Sequence, residues 1–133
     1  MDNVQLFSVS CIILVLLSFS VIAADYDLFA DIVKRNIKDD HIKVQLIDTF
    51  VRNSIDYAYY QNPRGLLKTW SSKEGDCTDY AIFITYMLRR ADVENKLVRG
   101  YLDGNKHDYY LYEVDNVWYS MDVGSTMTGY GTW

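Results

Sequence analysis

Apolar residues recur every three or four positions through the first part of residues 25–133, and that pattern stops near residue 91. In Asp27–Lys38 the pairs Leu28/Ile32 and Phe29/Val33 fall at helical spacing, which predicts a first helix. From Asp39 to Tyr60, Ile42, Leu46 and Phe50 follow the same interval, as do Val44, Ile47, Val51 and Ile55. Asp39 or Asp40 is the expected cap between the two helices. Gln61–Gly65 surrounds the only proline and reads as a turn. The stretch "EGDCTDYAIFITYMLRR", Glu74–Arg90, then predicts a helix that begins at Cys77. Gly75 interrupts the chain, Asp76 is a favourable N-cap, and Arg89 and Arg90 suit the negative end of the helix dipole. Tyr80, Ala81, Ile84, Met87 and Leu88 give this helix a broad apolar face. Beyond it, Lys96–Gly104, His107–Val114 and Val117–Val123 are rich in strand formers, with a turn at Asp115–Asn116. The order predicts an α+β fold: N-terminal helices and a central Cys-bearing helix packed on a small antiparallel sheet.

Residues 4–24 follow a different pattern. They carry no charge, are dense in Ile, Leu, Val and Phe, and end in "VIAA". The run is long enough to span a bilayer, and its small terminal residues suit signal-peptidase cleavage after Ala23 or Ala24. No Lys or Arg precedes it. Residues 1–24 are therefore expected to be a signal peptide or an N-terminal membrane anchor. Either role places residues 25–133 outside the cytoplasm, secreted or membrane-anchored, with membrane contact only through that segment. The remainder has the length of one domain. The formal net charge is −5 and the basic residues are scattered, so no nucleic-acid footprint is visible.

Cysteine content then directs attention to chemistry. Cys11 lies in the apolar run, which leaves Cys77 as the one thiol of residues 25–133 and without a disulfide partner. Such a thiol is either a small buried residue or a reactive one. At a helix N-terminus the dipole favours thiolate, and the backbone N–H groups can receive an oxyanion. A nucleophilic cysteine also needs a base. Of the two histidines in this region, His41 lies in the charged stretch "KDDHIK" and reads as a solvated helix residue, whereas His107 opens a Tyr-rich strand. A two-residue turn at Asp115–Asn116 pairs Val114 with Val117, and hence Tyr109 with Asp122. Asp122 then becomes a diagonal neighbour of His107 on one sheet face, suited to orient its ring. That face is expected to meet the N-terminal end of the Cys77 helix.

These residues carry a resemblance. "GDCTDYAIFITYMLRRADVENKLVRGY" and "HDYYLYEVDNVWYSMD" resemble the nucleophile and histidine–aspartate segments of the transglutaminase-like superfamily of papain-type cysteine enzymes. "FVRNSIDYAYYQNPRGLL" is similar to the helix and loop preceding the cysteine, so the resemblance covers about Ile42 to Val123. It implies Cys77 as nucleophile, His107 as base and then acid, and Asp122 as orienter. It further implies acyl transfer on amide bonds of a protein or peptide substrate through a thioester, by hydrolysis or by crosslinking transamidation. A catalytically inactive binding or structural module of the same fold is the rival reading. Tyr109 and Leu111 stand where the family often has Trp and an acidic residue. Trp70 and Tyr57 are the candidates for an upstream oxyanion donor. No metal-ligand spacing appears, and neither cofactor nor metal is expected.

Overall fold

A computed structural model describes residues 26–102, 104–121 and 131–132. The apolar run at 4–24 and Asp122 lie outside the described residues. Among the described residues, four helices precede the main sheet: α1 (Tyr26–Asn36), α2 (Asp40–Ser54), α3 (Leu66–Ser72) and α4 (Cys77–Arg90). A two-residue parallel bridge, β1 (Asp56–Tyr57) with β2 (Glu74–Gly75), ties the end of α2 to the start of α4. The antiparallel sheet runs in the order β3 (Asn95–Leu102), β4 (Asn105–Val114), β5 (Val117–Met121) and β6 (Gly131–Thr132). The fold is α+β, as the change in spacing predicts.

Local chemistry sets the element ends. Asp39 caps α2 by accepting from the His41 and Ile42 amides at 2.9 and 3.3 Å. The helical spacing continues through Ile55, yet α2 stops at Ser54. There the chain turns extended, and the Asp56 and Ala58 amides donate to the Lys73 and Gly75 carbonyls. Those bonds replace the next helical turn. The short α3 adds a helix that periodicity alone does not predict. Asp115 and Asn116 both take positive φ, 52° and 62°, which is the two-residue turn that best matches the twist of a hairpin.

Helix α4 lies between the other helices and the sheet. Its Ala81, Phe83, Ile84, Met87 and Leu88 are completely buried, as the apolar spacing requires. The sheet answers with Tyr110 and Tyr112, also fully buried. The Tyr110 hydroxyl donates to the buried Asp48 at 2.8 Å, and Arg52 neutralises that carboxylate at 2.6 Å. His41 departs from the solvated role expected of it. Its Nδ1 lies 3.1 Å from the Tyr112 hydroxyl, and its ring meets Tyr119 edge-on at 4.7 Å. The helix layer is thus pinned to the sheet by polar as well as apolar contacts.

Candidate active site

Cys77 is half-buried and is the first residue of α4. Asp76 caps the helix by accepting from the Asp79 amide at 3.1 Å, and Asp79 accepts in return from the Asp76 amide at 3.3 Å. This reciprocal box holds the first turn rigid. The other oxygen of Asp79 takes the Arg64 and Gly65 amides at 2.7 and 3.0 Å, so one buried carboxylate fixes both the 61–65 turn and the helix start. Gly75 is required by close approach. A Cβ there would lie 2.8 Å from the Asp79 Cβ and 3.0 Å from Thr69 Cγ2. Burial pushes the Asp76 carboxyl above its usual range, and the charge of Asp79 adds to the effect against the opposing backbone hydrogen bonds.

The two upstream aromatic candidates separate clearly. Trp70 belongs to an aromatic cluster in the helix layer, with ring centroids 5.2 Å from Tyr26, 5.7 Å from Phe83 and 6.0 Å from Phe50. Tyr57 instead pairs with Gly75 in the bridge that leads into α4 and stays 58% exposed. Partial burial of its hydroxyl raises the phenol's pKa, and the neighbouring Cys77 and Asp76 charges raise it further. Tyr57 is thus the candidate whose strand pairs with the residues leading into the Cys77 helix.

His107 lies in β4, half-buried, opposite Gly100 in the register, with its ring stacked on Tyr109 at 6.4 Å. The next residue, Asp108, points the other way. Its Oδ2 accepts from the Thr78 hydroxyl at 2.8 Å, joining the first turn of α4 to the strand that carries His107. The neighbours in sequence of Cys77 and His107 are therefore in direct contact. This differs from the expected facing. The side of β4 that packs on the helices carries Asp108, Tyr110 and Tyr112, and His107 belongs to the alternate set with Tyr109. Both sets of "HDYYLYEV" are aromatic, so alternation alone does not mark the buried side.

The hairpin register follows the expected pairing from Val114↔Val117 to Tyr110↔Met121. The next residue, Asp122, lies outside the described residues. Asp79, Thr78 and Asp108 are the residues near the site that sequence reasoning missed. The spacing of Asp76 and Asp79 matches a capping box with aspartate at its third position, whereas the Thr78–Asp108 contact spans 30 residues and has no local signal.

Comparison with known proteins agrees with this architecture. The family model described as the transglutaminase-like superfamily matches residues 28–127. The fold is similar to that of a candidate cysteine protease from Cytophaga hutchinsonii, with TM-score 0.66 and 17% identity. It is also similar to a protein described as a TGase, with TM-score 0.65 and 13% identity. The matches cover 80% and 85% of this chain, but only 39% and 33% of those two. No curated protein matches the sequence.

Proposed function

The chain belongs to the transglutaminase-like superfamily, and from that premise we propose that it is a cysteine enzyme of acyl transfer on amide bonds. The observation that carries this reading is the placement of Cys77. It opens a capped helix whose first turn is hydrogen-bonded to the strand of His107. The Cys77 thiolate attacks the amide carbonyl, forming the C–S bond and a tetrahedral oxyanion. The Cys77 amide and the Tyr57 hydroxyl donate to that oxyanion. His107 stands on the Tyr109 side of β4, so this reading requires its ring to swing round the strand to the helix end; there, oriented by Asp122, it takes the thiol proton and passes it to the leaving nitrogen as the C–N bond breaks. A thioester remains on Cys77. Water, deprotonated by His107, then releases the acid and restores the thiol. An amine in place of water gives transamidation. Hydrolysis is the reading preferred here, because water needs no second binding site. The substrate is a protein or peptide, and residues 1–24 deliver the domain to the extracytoplasmic side.

The experiment is to incubate the protein with a peptide library, with and without added primary amines, and to identify products by mass spectrometry. Cleaved peptides alone indicate hydrolysis, and amine-linked products indicate transamidation. Cys77→Ala should abolish both, with His107→Ala almost as severe. Asp122→Asn should lose less, within the roughly 10²–10⁴-fold range of acid–base contributions. Undiminished turnover by Cys77→Ala would refute the assignment.

A further inference from the structure

We propose that the free edge of β3 is a docking strand for an extended, acidic peptide. The sheet order leaves β3 paired with β4 alone, so among the described residues no strand adds to its other edge. The Glu113 amide donates to the Glu94 carbonyl at 2.9 Å, and this bond fixes the phase of the ladder. Lys96, Val98 and Gly100 therefore bond toward β4, while the N–H and C=O groups of Leu97, Arg99 and Tyr101 point outward. The pairing runs unbroken over all eight residues, and "NKLVRGYL" contains no proline to blunt the edge. A long strand with outward backbone groups is the template that an extended peptide completes with main-chain hydrogen bonds.

The side chains beside that edge select the partner. Arg99 and Tyr101 lie on the same side of the sheet as their register partners Asp108 and Lys106. The Arg99 side chain is 73% exposed and Tyr101 is 75% exposed. Arg99 approaches Asp108 only to 3.8 Å, and Asp108 has a nearer partner in Thr78 at 2.8 Å. Most of the guanidinium donors are thus open to another carboxylate. Lys106, also exposed, adds a second cation on that side. A peptide laid along β3 sets one side chain opposite Arg99 and another, two residues on, opposite Tyr101. An acidic residue suits the first position and an apolar one the second. A second copy of this chain suits the edge poorly, because two-fold pairing centred on Arg99 sets like charges opposite each other. Docking is a binding property and does not depend on the acyl-transfer reading. Because Arg99 pairs with Asp108, and Asp108 bonds Thr78, the docked peptide runs past the end of the sheet at which α4 begins.

Calorimetric titration of the full chain carrying Cys77→Ala tests this without turnover. The probe is a peptide of about eight residues, alternating valine and threonine, with glutamate in place of a central valine. N-methylation of its amides separates strand pairing from simple charge attraction. Methyl groups on the alternate amides that face β3 should weaken binding by about 10-fold or more, whereas those on the intervening amides should leave it near the parent. Arg99→Glu should weaken the glutamate peptide by about 10-fold and favour one with lysine in that place. Tyr101→Pro removes an outward N–H without touching the β4 ladder, and it should weaken binding more than Tyr101→Ala does. Melting temperature serves as the control for folding. Should Tyr101→Pro fail to fold, the methylated peptides decide alone. Binding indifferent to which set of amides is methylated would overturn the docking strand. Binding that Arg99→Glu leaves unchanged would overturn its acidic preference. No binding at millimolar peptide would overturn both, as would a protein dimer in sedimentation that excludes the peptide. None of these outcomes bears on the thiol, which the variant lacks.

Discussion

Tyr110 sends its hydroxyl into the interior, where burial first and the charge of Asp48 second push its ionisation well above the usual tyrosine range. An unfolded tyrosine loses its proton near pH 10, while the folded one keeps it. Above about pH 10 the native state therefore binds more protons than the unfolded state, and stability falls as pH rises. Burial raises the Tyr80 phenol in the same direction. Tyr110→Phe should make that alkaline decline shallower in chemical denaturation. It should also cost about 1–3 kcal/mol at neutral pH, because Asp48 loses a buried donor. At this scale the sequence was legible where one residue type has one local job. Asp39 and Asp76 read as caps and are caps, and Cys77 reads as a helix start and is one. Where a side chain's role is set across the fold, as for His41 with Tyr112 or Thr78 with Asp108, no neighbouring residue announces it.

The element that sets the site is the start of α4, and it tolerates little change. Gly75→Ala would press a methyl group against Asp79 and Thr69, both held in the interior. The predicted loss is about 1–3 kcal/mol, the usual cost of overpacking, measured by denaturation. Alkylation of Cys77 should slow as well, because the methyl group displaces the residue that fixes the first turn. The Asp115–Asn116 turn gives a second test. Asn116→Val forces a β-branched side chain to φ near 62° and should cost about 1–2 kcal/mol, whereas Asn116→Gly should be neutral or stabilising. The hairpin and its register were readable because a two-residue Asp-Asn turn fixes the pairing of every later residue. The β1–β2 bridge was not, because two residues carry no periodicity and their partners lie 18 positions apart. Nor was α3, seven residues long and too short for a repeating apolar face.

Over the whole molecule, the layer order follows from apolar content. Helix α4 is buried on most of its circumference because helices cover one side and the sheet the other. Residues 1–24 stand apart from this core in composition. Mass determination of the mature protein should show a chain beginning after Ala23 or Ala24, or an uncleaved chain in the membrane fraction. Full-length protein in the cytosolic fraction would contradict export. The central claim is that this fold presents Cys77 as an activated thiol, and its reaction with iodoacetamide at pH 6 tests that most directly. A thiolate sustained by the helix terminus and His107 should be labelled far faster than free cysteine, and His107→Ala should remove most of that advantage. Labelling at the rate of free cysteine, or none in the folded protein, would contradict the account.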